Sequence, residues 1–388
     1  MESIAFTWIV YQITGSAAWS AIIFTFIMLP NVIVQPFAGA IVEKMNKKAV
    51  VTTTHFLRAL MIALFIFLFK YKLVNSLLLS IFALTITTIE SFYLPAASAL
   101  TAKVLKKEDI KAGTSLNSVF SNAATLAGSG IAGFIIAKPG VSAAMFTDLA
   151  TFIIAAALIS TINVNTKPTP SPSENKAPQN TGYLSMLREG FTYVFKATAI
   201  RNFCIICVLL NGLMIPLYAL QAPIVTEIYG MGSELMSISG IFASIGGIFG
   251  AAILPGIAAK LPPIKITILG TGLLACSMAC IPCGTFIKEN TPLASTLLCA
   301  CNFTIMTAVS LVGGILNIQF MKCVDRNYIS RASAVFNSSA TAVTPIGSSV
   351  ISLLVLHISA AQVLTINAIL AAITLLLILL TRPALDNT

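Results

Sequence analysis

Apolar runs of about twenty residues or more recur along the chain, and the short gaps between them hold most of its charge. A bilayer's hydrocarbon layer is about 30 Å thick, and a helix rising 1.5 Å per residue needs about 20 apolar residues to cross it. Eleven such runs are present: Ala17–Val42, Ala49–Lys70, Val74–Leu105, Ala112–Ala137, Val141–Val164, Thr198–Tyr229, Glu234–Leu261, Ile264–Lys288, Thr291–Val324, Ala332–His357 and Ile358–Thr381. The stretch from Ser3 to Thr14 is apolar as well, but twelve residues reach only about 18 Å. It has neither a basic start nor a small-residue cleavage site, so it is expected to be the outer part of a first helix that begins upstream, truncated in this sequence. Counting it gives an all-α membrane protein of twelve helices.

Composition agrees with a lipid-embedded chain. Residues are 57% hydrophobic and 9% charged, against about 25% charged in soluble domains. That excludes soluble enzymes, nucleic-acid binders and disordered chains. The net charge of +10 could point to nucleic acid, but its distribution shows otherwise. With the even-numbered gaps, the central linker and the C-terminus placed in the cytoplasm, that side collects eighteen of the 23 basic residues. Lys70, Lys72, Lys138 and Lys288 fall on the other side, and Arg58 lies inside a span. This positive-inside asymmetry predicts a multi-pass protein of the cell membrane with both termini cytoplasmic.

The one long polar stretch runs from Lys167 to Gly182 and is rich in Pro and Ser, the composition of a flexible linker. After it, Leu184, Leu187, Phe191 and Phe195 have the spacing of an amphipathic helix on the inner membrane surface. The expected organisation is a six-helix bundle over 1–164, a linker over 165–197, a second six-helix bundle over 198–382 and a tail over 383–388. A faint repeat links the halves: Asp109, Val119, Phe120, Ala124 and Thr125 recur as Asp325, Val335, Phe336, Ala340 and Thr341. Parallel halves of this kind are a recurring transporter architecture. All eight cysteines lie in the second half, nearly all in apolar runs, where thiols act as small hydrophobes. Cys276, Cys280 and Cys283 share a helical face but have no nearby histidine, so neither a disulfide framework nor a metal is expected. His55 and His357 stand alone near span ends, as interfacial histidines do.

Between the second and third spans stands Gly39-Ala-Ile-Val-Glu43-Lys44-Met-Asn46-Lys47-Lys48. The small residue at its start is expected to let two helices approach closely. The stretch resembles the signature loop of the major facilitator superfamily: Gly, three residues, an acid, a base, one residue, Gly, two bases. Glu43 takes the place of the acid, and Asn46, which tolerates left-handed backbone angles, that of the second Gly. Tyr11-Gln12-Ile-Thr14-Gly15-Ser16, Leu57-Arg58-Ala59-Leu60, Pro95-Ala96 with Glu108 and Asn117, and Asp148-Leu-Ala-Thr151-Phe152 resemble the drug-export and macrolide-efflux branch. The antiporter Gly-Pro-x-x-Gly-Gly turn is replaced by Gly128-Ser129-Gly130-Ile-Ala132-Gly133, without the proline. The resemblance implies alternating access by two rocking bundles. Glu43 would face the start of the eleventh helix near Ala332 and latch the cytoplasmic gate.

Ionisable groups inside a membrane cost about 2.5–3.5 kcal/mol each on insertion scales, so each needs a reason. Three qualify: Arg58 within the third helix, Glu90 near the middle of the fourth and Asp148 in the outer third of the sixth. Arg58 with Asp148 is the expected helix-holding ion pair, which leaves Glu90 as the candidate proton carrier. Pairing of Arg58 with Glu90 is the alternative, and it would remove that role. The resemblance also places Gln12, Thr88, Tyr93, Asn211, Tyr218, Gln221, Asn302 and Asn317 on cavity-lining helices. As a set they fit a mostly apolar cavity for an amphipathic molecule, although each could instead bond to a neighbouring group.

The expected function is secondary active efflux of a drug-like or macrolide-like compound, coupled to proton influx. The expected partners are the lipid bilayer, the substrate and protons, with no nucleic acid and no cofactor, and the chain acts as a monomer. A secretion permease for an endogenous metabolite such as a siderophore, or a non-transporting membrane sensor or scaffold, remains open. An enzyme is not expected, because no nucleophile–base pairing occurs.

Overall fold

A computed structural model describes residues 2–43, 45–104, 140–162, 198–324 and 329–381, a few single positions between 120 and 136, and position 383. The linker, the amphipathic stretch, most of the tail, Lys44, Glu108, Asn117, most of the fifth span, and Asp109, Val119, Thr125 and Asp325 of the repeat lie outside the described residues.

The described residues form helices and no strands. This follows from the solvent: lipid offers no hydrogen bonds, so each span must satisfy its backbone internally. The chain divides into two compact units, Met1–Ala177 and Pro178–Thr388. The first contains α1 (Glu2–Thr14), α2 (Ala17–Ile33), α3 (Gln35–Glu43), α4 (Lys47–Lys70), α5 (Ser76–Val104) and α6 (Val141–Thr161). The second contains α7 (Thr198–Ala219), α8 (Ser233–Ala258), α9 (Pro263–Cys280), α10 (Thr291–Cys323), α11 (Ile329–Leu354) and α12 (Ala360–Thr381). Eight described helices are long and apolar enough to cross a membrane.

Several expected spans are broken where hydropathy continues. The run Ala17–Val42 divides at Val34, between Pro30 and Pro36. Proline lacks an N–H and crowds the preceding turn, which ends the regular ladder. The run Thr198–Tyr229 becomes α7, a short turn at Gln221–Pro223 and a π-helical turn at Ile224–Ile228. The run Ile264–Lys288 changes at Ile281–Cys283 into a 3-10 turn. Cys276, Cys280 and Cys283 therefore do not share one continuous helical face, because Pro282 forces the tighter turn.

Packing within each unit follows small residues and apolar stripes. Along α12, Ala360, Val363, Leu364, Asn367, Ala371, Thr374 and Ile378 are buried, while Ile366, Ile369, Leu370, Ile373, Leu377 and Leu380 are exposed. Both stripes have helical spacing, and the exposed one is mostly apolar, as a lipid-facing surface is. In the first unit α4 packs on α5 and α6, while α2 packs on α5. Phe65 of α4 meets Phe6 and Phe82 edge-on, each at 5.5 Å between ring centroids. In the second unit α8 lies against α10 in backbone contact. A Cβ added at Gly250 would stand 2.6 Å from Thr307 O, and one at Gly246 would overlap Phe303 O. Thr307 Oγ1 donates to Gly246 O across the seam at 3.0 Å. Glycines four residues apart present one small-residue face, which permits this approach.

Candidate functional site

The first unit gathers ionisable and aromatic side chains from three helices. Arg58 on α4 lies with Nη1 3.6 Å from Glu90 Oε1 on α5. Its guanidinium carbon stands 4.4 Å from the ring centroid of Phe152 on α6, a cation–π contact. One turn earlier on α4, His55 packs against Tyr93 of α5 at 4.9 Å, and its ring centroid is 6.0 Å from that of Phe152. Asp148 lies one turn before Phe152 on α6 and is 9% exposed. Arg58 is close enough to interact electrostatically with both His55 and Asp148.

Two sequence expectations are corrected by this cluster. The ion pair given to Arg58 is with Glu90, the arrangement the sequence had placed second, and not the Asp148 pair placed first. Burial explains the preference. The side chains of Arg58 and Glu90 are 11% and 35% exposed, so pairing there encloses the carboxylate less deeply in protein than pairing with Asp148, 9% exposed, would. Asp148 keeps Oδ2 buried with no hydrogen-bond partner, and His55 Nδ1 is likewise without one. His55 is also not the isolated interfacial residue expected. At 8% exposure it is part of the cluster, and its place three residues before Arg58, on the same face of α4, was the signal for it.

The gate loop is described in part. The side chain of Glu43 and all of Lys44 lie outside the described residues. Asn46 is in an extended conformation, φ −71° and ψ 109°, rather than the left-handed one its place in the motif suggested. It caps α4 instead, its side-chain oxygen accepting from Ala49 N at 3.2 Å. Lys47 is buried, and Lys48 Nζ donates to Ser160 O at the end of α6 at 2.8 Å. A Cβ at Gly39 would meet nothing within 4 Å. The close approach expected there does not occur among the described residues.

The polar cavity candidates divide between the units. In the first, Thr88 Oγ1 donates to Leu84 O of its own helix at 2.7 Å, Tyr93 packs on His55 and Gln12 is exposed. In the second, Asn211 Nδ2 donates to Cys207 O at 2.9 Å and Asn302 Nδ2 to Leu298 O at 3.0 Å. Gln221 is half-buried, and Tyr218 and Asn317 are exposed. Asn302 and Asn317 stand fifteen residues apart on α10, about 22 Å along the axis, so they cannot share one small pocket. No group of three or more metal-ligating side chains occurs among the described residues.

Residues 3–348 match the family model described as Major Facilitator Superfamily. The chain belongs to the major facilitator superfamily. Members of this family are transporters rather than enzymes, and the chain is accordingly membrane-embedded. It is 26% identical over 261 residues to the multidrug efflux pump Tap of Mycolicibacterium fortuitum, a match covering 64% of this chain and 61% of that pump. It is 24% identical over 295 residues to Tap of Mycobacterium tuberculosis, covering 72% of this chain and 67% of that one. Among solved structures, a point mutant of the nucleoside transporter NupG aligns over 97% of this chain and 94% of its own, with a TM-score of 0.79 and 11% identity. A bacterial homologue of the iron transporter ferroportin, in its inward-facing state, aligns over 96% and 94% with a TM-score of 0.70 and 11% identity. At such identities the structural likeness speaks for the fold, the all-helical major-facilitator type that the motif resemblance implied.

Proposed function

We propose that the chain exports amphipathic small molecules of drug or macrolide type by alternating access, driven by proton entry. The observation that carries this reading is its similarity to two proteins described as multidrug efflux pumps, over 64–72% of its length. The cluster of Arg58, Glu90 and Asp148 supplies a route for coupling. The pair with Arg58 removes Glu90 as the proton carrier, and Asp148, whose buried Oδ2 has no hydrogen-bond partner, takes that place: its ionisation offers the same guanidinium a second carboxylate. A side chain with two alternative partners is the kind of element that a proton can bias between two states. Glu43 and its neighbouring bases form the cytoplasmic gate, and both termini lie in the cytoplasm. Gln12, Thr88, Tyr93, Asn211 and Asn302 are the proposed substrate contacts.

The test is transport by the full chain in proteoliposomes across a panel of macrolides, cationic dyes and siderophores, with and without a protonophore. Accumulation of dyes or macrolides that the protonophore abolishes is the expected result. Asp148→Asn should reduce substrate-driven proton flux, and unchanged flux removes the cluster from coupling. Protonophore-insensitive transport refutes proton drive. Transport of siderophores alone replaces the drug reading with secretion of an endogenous metabolite.

A further inference from the structure

The end of the first unit remote from the gate loop contains a cavity of about 620 Å³, lined in part by Lys70 and Lys72. This is the size of pockets that take drug-sized ligands, about 300–1,000 Å³. Its walls include Ile13 of α1, Ile66 and Phe69 of α4 and Phe146 of α6, so three helices border a half-open, mostly apolar space that two lysines also line. We propose that this cavity binds an anionic amphiphile, with a phosphate or carboxylate head at Lys70 and Lys72 and a hydrocarbon tail along Phe69 and Phe146.

The convergence of the two lysines is a product of the backbone. Residues two apart on a helix point to opposite sides. Lys72 leaves α4 with φ +56°, a left-handed conformation disfavoured for any residue bearing a Cβ, and both lysines then line the same space. Two like charges lining one apolar space repel, and none of the described residues that line the cavity is acidic. An anion between them relieves that repulsion. Ser142, on the first turn of α6, also lines the cavity, and the Gly140 that precedes α6 has no side chain to cap its amide groups. The positive end of the α6 dipole therefore adds to the field of the lysines. A neutral or cationic ligand would leave all of this uncompensated.

Such a ligand could be a lipid or a soluble amphiphile, and the two are separable. The purified full chain in a neutral detergent is titrated with phosphatidylglycerol, phosphatidylcholine and dodecyl phosphate, and bound adducts are read by native mass spectrometry. Either anion is expected to bind more tightly than phosphatidylcholine, more weakly at about 500 mM than at about 50 mM salt. Affinity should fall about fivefold for Lys70→Gln or Lys72→Gln and about thirtyfold for both together. Lys70→Arg with Lys72→Arg retains the charges and should retain binding, while Lys288→Gln, on the second unit, should change nothing. Lysine-dependent binding of phosphatidylglycerol assigns a lipid site, and of dodecyl phosphate alone a soluble amphiphile; either supports the proposal. Binding of neither anion, or anion binding equal in wild type and double variant, overturns it.

Discussion

The Arg58–Glu90 pair lends itself to a double-mutant cycle whose size can be worked out beforehand. Unit charges 3.6 Å apart attract by about 1 kcal/mol in bulk water and about 4.6 kcal/mol at an effective dielectric of about 20. Glu90 is 35% exposed, so the pair is not fully enclosed by protein and the value is discounted toward the lower figure, to a coupling of about 2 kcal/mol. The single variants should also be unequal. Glu90→Gln removes the ion-pair partner of the more deeply buried guanidinium and costs about 2–3 kcal/mol, whereas Arg58→Gln leaves a carboxylate less enclosed by protein and costs less. The double variant Arg58→Gln with Glu90→Gln should be about 2 kcal/mol more stable than the sum of the singles predicts. Both tryptophans, Trp8 and Trp19, lie in the same unit, so intrinsic fluorescence during unfolding by a denaturing detergent reports on this unit. Effects that add within about 0.3 kcal/mol, or an Arg58→Gln variant less stable than Glu90→Gln, would refute the reasoning.

Other perturbations follow from particular contacts. Gly250→Leu drives a side chain into Thr307 and Ser310 and should cost about 2–3 kcal/mol in thermal unfolding. Gly256→Ala, where a Cβ meets nothing within 4 Å, should be close to neutral in the same assay. Asn46→Ala removes the α4 cap and should cost about 1 kcal/mol in the fluorescence titration, whereas Asn46→Asp should keep most of it. Tyr229 Oη donates to Ile281 O at 3.0 Å while its ring lies where a Cβ at Gly284 would go. Tyr229→Phe keeps the ring, loses the bond and should lower stability by about 1 kcal/mol, checked by melting in detergent.

The course of the chain was legible because a span must be long and apolar whatever it packs against. Val141 opens α6 and Thr381 closes α12, as hydropathy predicts. Breaks inside apolar runs were not legible in the same way. Hydropathy is uniform across Val34 and Ile281, and the interruptions come from backbone geometry at prolines. Arg58, Glu90 and Asp148 were conspicuous in the sequence because a charge in lipid needs a reason, but their pairing depends on which helix faces which. His55 was missed because its neighbours Tyr93 and Phe152 lie on other helices. Asn211 and Asn302 were legible as polar groups inside apolar spans, but the carbonyl that each amide reaches one turn back on its own helix was not. The glycine spacing of Gly246 and Gly250 was present in the sequence, but only the facing backbone of α10 gives it meaning.

That glycine seam has a practical use. Where two main chains touch with no side chain between them, no rotamer change can open or close the gap. Spectroscopic labels placed on α8 and α10 on either side of the contact should therefore keep one separation through every stage of a working cycle. They would form an internal ruler against which displacements elsewhere in the molecule can be calibrated.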